Sequence, residues 1–382
     1  MKQISFLHTS DWQIGMTRWF LSAEAQARFD AARLAAITRL GALAVEHDCA
    51  FIVVAGDVFE TNSLNKQTTG RVREALAALP VPVYLLPGNH DPLTPDSIFF
   101  SSAVADGVHV IADSKPIAVA DGVELVGAPL TSKHTVDDPV RLALETLEPV
   151  APGTIRIAVG HGQVQSRSSE PAADAIDLEF VESCLADGEI SYLALGDTHS
   201  AGPVGASGKV WFSGAPEVTD YLELSTGGGE NNSGHALVVR VSDSHEVDVT
   251  EVQVGTWRFE AITRDINSWE DALAFIRELE AYENKSEVAI KYALRGSMDL
   301  TTMRFLETEL DRLEPIFAAL YARERLMDLH LDPGEEDLEA MNVTGYQADA
   351  LTELIAKAQA GPEQQAASDA LRLMFRLSGE GK

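Results

Sequence analysis

The sequence predicts an α/β protein whose sheet-rich body is followed by a smaller α+β unit. Three observations carry this. The first hundred residues alternate strand and helix in the order β-α-β-α-β, which argues for a parallel sheet with helices packed on it. FIVVAGDVF is an unbroken apolar run, rich in β-branched residues, of the kind a strand buried on both faces needs. Near residue 258 a new strand–helix–strand–helix pattern begins.

The elements follow in order. ISFLHTSD is an apolar run ending in polar residues, read as the first strand. Over residues 23–48, Phe29, Ala36, Ile37, Leu40, Leu43 and Ala44 recur at helical spacing on one face. FIVVAGDVF is the second strand, a helix covers about 66–79, and VPVYLLPGNHD is the third strand. From about 107 short strands dominate: VHVIA, VELVGAPL, TIRIAVGHG, SYLALGDTHS, KVWFSG and HALVVRVS. The glycine-rich STGGGENNSGH at 225–235 reads as a hairpin-like loop before HALVVRVS. EVDVTEVQVGTWRFEAITRDI reads as one further strand. The smaller unit has a strand, a helix over about 268–282, the strand SEVAIKYALRG and a helix over about 300–314. LDPGEED at 331–337 breaks the chain, and 345–376 reads as helix throughout.

The 382 residues are 45% hydrophobic and 23% charged, enough apolar surface for a real core and against wholesale disorder. Lys and Arg total 29 against 59 Asp and Glu, for a net charge of −30. Such a field repels nucleic acid and anionic membranes, so a phosphate substrate must be drawn in locally, by metal ions or a few placed basic groups. Two cysteines, Cys49 and Cys184, make no disulfide framework and read as small core residues. Nothing in the sequence reads as a membrane span or signal peptide, and the expected compartment is the cytoplasm.

Five polar clusters stand at the C-terminal ends of apolar strands, where open α/β sheets bind ligands. They are Asp11-Trp12-Gln13, Gly56-Asp57, Gly88-Asn89-His90-Asp91, Gly160-His161 and Gly196-Asp197-Thr198-His199. Any one alone is readily a turn with polar caps, and His8, His47, His109, His134, His235, His245 and His330 read as structural. The set as a whole suits a two-metal site. A carboxylate bridges two cations, which activate water and hold a phosphoryl oxygen. Mixed imidazole, carboxylate and amide donors suit Mn, Fe, Zn or Mg.

HTSDWQ, VVAGDVFE, LPGNHD, VGHG and LALGDTHS together resemble the five motifs of the calcineurin-like metallophosphoesterases. The long helix after the first motif, the GDVF tetrad and the SGAPE loop resemble more narrowly the SbcD-type DNA double-strand-break repair nucleases. The resemblance covers about the first 220 residues; beyond them only the layout is similar. It implies a β-sandwich flanked by helices, with a nuclease domain at 1–257, a small α+β capping domain at 258–335 and a C-terminal helical segment at 336–382. It implies one metal held by Asp11, Gln13, Asp57 and His199, and a second held by Asp57, Asn89, His161 and Asp197. His90 would be the general acid or phosphate contact, oriented by Asp91. Two positions depart from the family pattern. Gln13 and Asp197 stand where the family usually has histidine, which makes the centre richer in oxygen and favours Mn²⁺, or else Mg²⁺, over Zn²⁺.

The implied function is hydrolysis of DNA phosphodiester bonds, as exonuclease or endonuclease in DNA repair and recombination. The implied partners are DNA and an SbcC-type coiled-coil ATPase, with a homodimer as an open alternative. Two other functions compete: a phosphodiesterase or phosphatase for a small phosphoester, and a scaffold subunit with a weakened site. Acidic residues outnumber basic ones in the C-terminal part too, so Arg264, Lys285, Lys291, Arg295 and Arg304 are only local candidates for DNA contact. Ala348, Leu351, Leu354, Ile355 and Ala358 form one apolar stripe, and Ala367, Ala370, Leu371, Met374 and Phe375 another. Each stripe either buries against the chain's own core or docks on a partner helix.

Overall fold

The computed structural model describes residues 2–100, 105, 107–165, 175–223, 228–331, 345–359, 366–367, 369–371 and 373–374. The stretch 332–337 of LDPGEED, residues 225–227 of the glycine-rich loop and Phe375 lie outside the described residues. The chain divides into two compact units. One comprises 1–19 and 26–257, the other 20–25 and 258–382.

The first unit is built on two six-stranded sheets. The strands of the first sheet are β1 (Gln3–Thr9), β2 (Ile52–Val54), β3 (Val83–Leu85) and β4 (Val108–Val110), with β13 (His235–Ser242) and β14 (Val247–Gln253) continuing its β1 edge. β1 to β4 pair in parallel, and β13 is antiparallel to both β1 and β14. The second sheet runs in the order β5 (Ile117–Ala120), β6 (Val123–Gly127), β7 (Ile155–His161), β8 (Tyr192–Gly196), β10 (Val210–Phe212), β9 (Gly202–Val204). A two-residue pair, β11 (Leu222–Glu223) and β12 (Gly228–Gly229), lies between β10 and β13 in the chain.

The two-residue side-chain period of a strand sorts the apolar residues into layers. Phe6, Phe51, Val53, Tyr84 and Leu86 face the second sheet, where they meet Leu125, Ile157, Val159 and Tyr192 in one fully buried cluster. Phe6 stacks on Phe51 at 5.1 Å between ring centroids and meets Tyr192 edge-on at 5.7 Å, pairs worth about 0.5–1.5 kcal/mol each beyond their burial. The alternate residues Leu7, Ile52, Val54, Val83 and Leu85 face outward. There they pack under Ala36, Ile37 and Leu40 of α1 (Ala23–Glu46) and Val72 and Leu76 of α2 (Lys66–Ala77). On the second sheet Ala158, Leu193 and Leu195 take Val140 and Leu144 of α3 (Pro139–Glu145) and Val181 and Leu185 of α4 (Leu178–Ala186). The result is an α/β/β/α sandwich. Cys49 and Cys184 are buried, unbridged members of these cores.

One sequence reading needs correction. The run from 246 to 266 is two strands, β14 and then β15 (Arg258–Asp265), not one. Glu217 is the physical cause: its carboxylate accepts from the backbone N–H of Thr256 at 3.1 Å and Trp257 at 3.0 Å, so these donors leave the ladder. The parallel sheet expected from the first hundred residues is likewise mixed, because β13 and β14 return antiparallel.

In the second unit β15 pairs in parallel with β16 (Val288–Met298), which pairs in parallel with β17 (Ala319–Ala322) and with β18 (Asp328–Leu331). Two helices, α5 (Trp269–Ala281) and α6 (Leu300–Leu313), belong to this unit. Ser268 and Asp299 accept from the first-turn N–H groups of these helices, caps worth about 1 kcal/mol each. Phe275, Ile276, Ile290, Leu294, Met303 and Leu306 form the core. The same core takes in Leu351 and Ala358 of α7 (Tyr346–Gln359), together with Ala367 and Leu371. These members of both apolar stripes are therefore buried in the chain's own core. Among the described residues no helix is long and apolar enough to cross a membrane.

Candidate metal centre

The polar clusters meet at the C-terminal ends of β1, β2, β3, β7 and β8, where each strand delivers its loop. One ligand atom each from Asp11, Asp57 and His161 lies within 4.8 Å of the others, and all three residues are buried. Around this trio stand the remaining residues singled out in the sequence. Asn89 Oδ1 is 3.2 Å from His161 Nε2, and Asp197 Oδ1 is 3.8 Å from the same nitrogen. His199 Nε2 is 3.9 Å from Asp11 Oδ1 and 3.1 Å from the Gln13 amide nitrogen. His161 Nε2 is 3.4 Å from Asp57 Oδ1. The structure thus brings all seven side chains together.

The backbone shows how tightly the loops are held. Asp11, Gln13, Asp57 and Asp197 have φ of 52°, 42°, 54° and 102°, conformations that side-chain-bearing residues adopt at a cost. Cross-loop hydrogen bonds hold them there: Asp11 N–H to Gly56 O at 3.0 Å, Gln13 N–H to Asp57 O at 2.9 Å, and Asp197 N–H to both Asp11 oxygens at 3.2 Å. Close approach also explains two glycines. A Cβ on Gly88 would sit 2.1 Å from Asp57 Oδ1, and one on Gly196 2.0 Å from Ala55 O.

The imidazoles are oriented from behind. His161 Nδ1–H donates to Ala55 O at 2.8 Å, which turns Nε2 toward the carboxylates. His199 Nδ1 lies 2.9 Å from Glu230 Oε1. Burial opposes the charge of His161, but Asp57, Asp11 and Asp197 outweigh it and push its pKa up to about 10. His199 behaves alike: burial lowers it, Glu230 and Asp11 raise it more, and it reaches about 9. Burial raises Asp11 and Asp197. It also works against the charge of Asp57, but His161 and His90 hold that carboxyl below its ordinary range. Buried carboxylates such as Asp11 and Asp57, set side by side, make a field that attracts cations.

The donor set fits a metal. Gln13 is buried, and its side-chain oxygen has no hydrogen-bond partner among the described residues. An orphan carbonyl oxygen costs about 1–3 kcal/mol unless a further group takes it up, and a cation does so. Asp11, Asp57, Asp197, Asn89 and Gln13 offer hard oxygens beside two imidazoles, a set suited to Mn²⁺ or Mg²⁺.

His90 and Asp91 behave differently from each other. His90 is about one-third exposed at the mouth, with Nε2 4.0 Å from Asp57 Oδ2. The expectation that Asp91 orients its ring is not met. The two oxygens of Asp91 accept from the backbone N–H groups of Gly88 at 2.7 Å and Phe59 at 2.9 Å, so Asp91 locks the loop. The ring faces Glu60 instead, Nδ1 lying 3.2 Å from its carbonyl oxygen. Burial, with Asp57 nearby, raises the Asp91 pKa to about 7.

Two supporting residues escaped the sequence reading. Glu230 lies in the glycine-rich loop read as a simple hairpin; an acidic residue closing a glycine run was its only signal. Arg33 is buried on the inward face of α1, donating to Trp12 O at 2.7 Å and Val218 O at 2.8 Å. A charge on an otherwise apolar stripe, four residues after Phe29, was the signal there.

A family model described as calcineurin-like phosphoesterase matches residues 4–201, and the chain belongs to that family. The centre is accordingly that of a metal-dependent phosphoester hydrolase, whose relatives typically bind two divalent ions. No curated protein matches the chain. Among solved structures it is similar to a protein from Thermus thermophilus, 9% identical over 66% of this chain and 100% of the other, with TM-score 0.38. It is also similar to a dimetal phosphatase from Danio rerio, 11% identical over 66% of this chain and 99% of the other, with TM-score 0.39.

Proposed function

We propose that the chain is an SbcD-type dinuclear-metal phosphodiesterase that hydrolyses DNA phosphodiester bonds in repair, with an SbcC-type coiled-coil ATPase as partner. The observation that carries the dinuclear reading is the convergence of Asp11, Asp57 and His161 within 4.8 Å, with the Gln13 amide, whose oxygen has no hydrogen-bond partner among the described residues, set 3.1 Å through its nitrogen from His199 Nε2. Asp11, Gln13, Asp57 and His199 would hold one ion; Asp57, Asn89, His161 and Asp197 the other. When bound, the ions, taken as Mn²⁺, polarise the phosphoryl oxygens and lower the pKa of water.

The chain's own groups do the rest. Asp57 keeps its charge at neutral pH, held down by His161 and His90. His90 stands at the mouth, able to reach the leaving oxygen and give it a proton, a contribution of roughly 10²–10⁴. Asp91 fixes the loop that carries it. The SGAPE loop, which carries the finer resemblance, is wired to the centre: Ser213 Oγ is 2.7 Å from Ser10 Oγ, and Ser10 donates to Asp11 at 2.5 Å.

A second reading, hydrolysis of a small phosphoester, is favoured by the net charge of −30. The deciding experiment supplies Mn²⁺ and compares linear duplex DNA with bis-(p-nitrophenyl) phosphate and a cyclic nucleotide. Cleavage of DNA at metal-dependent rates supports the nuclease reading. Turnover of the small esters alone transfers the site to the second.

A further inference from the structure

We propose that Glu230, outside all five motifs, is a positioning residue that fixes the His199 ring for metal binding and offsets the weak donor Gln13 on the same ion. The inference rests on the dinuclear reading above and names a device within that centre. The observations are geometric. Glu230 is 6% exposed, so its carboxylate is committed to partners inside the fold. Oε1 lies 2.9 Å from His199 Nδ1, and Oε2 accepts the backbone N–H of Thr219 at 2.9 Å. The Thr219 hydroxyl also donates to Oε1 and lies 2.5 Å from His199 Nδ1. Three donors therefore converge on one buried carboxylate, which leaves it no freedom to turn away.

The consequence is a fixed tautomer. A ring whose Nδ1–H donates to Glu230 presents the Nε2 lone pair on its other side, where Gln13 and Asp11 stand. The two histidines then differ in what stands behind them. His161 donates to a neutral carbonyl, Ala55 O, whereas His199 donates to a carboxylate. The carboxylate holds the His199 ring in one orientation and adds a negative charge to the half of the centre where a neutral amide stands. Asp197 already supplies a charged oxygen on the His161 side.

The test is a calorimetric titration of Mn²⁺ into full-length wild type, Glu230→Gln and Glu230→Ala, with the metal-free melting temperature alongside. Loss of a partner behind a metal-binding histidine weakens metal by roughly 10–100-fold. Glu230→Gln, nearly isosteric and still able to accept the Thr219 N–H, should melt like wild type. It should weaken one of the two binding events by about tenfold and leave the other unchanged, with Glu230→Ala weaker still. Wild-type affinity at both events in Glu230→Gln, or equal weakening of both, overturns the inference. Uptake of a single ion by wild type would instead count against the dinuclear reading, and Glu230 would then be judged on that ion alone. DNA is absent from the titration, so failure to cleave DNA has no bearing on the role of Glu230.

Discussion

Replacing Asp57 by Asn removes one negative charge and almost nothing else. The side chain is buried at the meeting point of the β2 and β3 loops. Its Oδ1 accepts the His90 N–H at 2.9 Å, a bond the Asn carbonyl can keep, so the loop should hold its shape. Its oxygens face His161 at 3.4 Å and His90 at 4.0 Å, which places the lost charge inside the centre. Unit charges 4 Å apart at an effective dielectric near 20 interact by about 4 kcal/mol, so each cation loses roughly a thousandfold in affinity even when counted as a single charge. The assay is metal content after dialysis, followed by Mn²⁺ titration and turnover of a small phosphodiester. Metal and activity should vanish together while the metal-free melting temperature stays within a few degrees. Full occupancy by two ions in the variant would refute the bridging assignment.

Four further outcomes follow from the same geometry. His90→Ala should keep both ions and lose turnover by roughly 10²–10⁴; parallel loss of metal would make His90 a ligand. Gln13→His should raise affinity for Zn²⁺ and Fe²⁺, because imidazole is their better ligand, and unchanged titrations would mean that residue 13 faces away from the ion. His8 is fully buried between Tyr192 and Leu195 O, and burial lowers its pKa to about 3 from 6.5. The unfolded chain thus binds a proton that the folded one refuses, so His8's contribution is complete above pH 6.5 and drains away as pH falls toward 3. His8→Gln should flatten the acid side of the stability profile by up to about 1.4 kcal/mol per pH unit, and an unaltered slope would contradict this. Leu351→Ala should cost about 2–5 kcal/mol in urea unfolding of the second unit, since Leu351 lies in its core; a neutral result would return the stripe to partner docking.

The sequence showed the sandwich's long elements and the site's first layer plainly, for different physical reasons. α1 declares itself because burial of one face imposes a period of about 3.6, and the central strands because burial on both faces keeps their apolar runs unbroken. The candidate ligands were legible because five polar clusters together close apolar strands, where open α/β sheets bind ligands. The short helices were not legible. α3 and α4 span seven and nine residues, too few turns for periodicity to show, and are capped in the structure by Asp138 and Asp177. The break between β14 and β15 was hidden because Glu217, forty residues upstream of Trp257, takes the backbone donors. Glu230 and Glu60 were hidden likewise, since their roles arise from contacts across 31 and 30 residues of chain. Asp91 shows the opposite hazard: its neighbour in sequence is His90, but its partners are Gly88 and Phe59.

The most direct test of the dinuclear centre is anomalous diffraction from crystals soaked in Mn²⁺. Two peaks about 3.5–4 Å apart are expected, sharing Asp57, with Gln13 and His199 on one ion and Asn89, His161 and Asp197 on the other. A single peak, or two peaks with Gln13 and Asp197 both turned away, would contradict it.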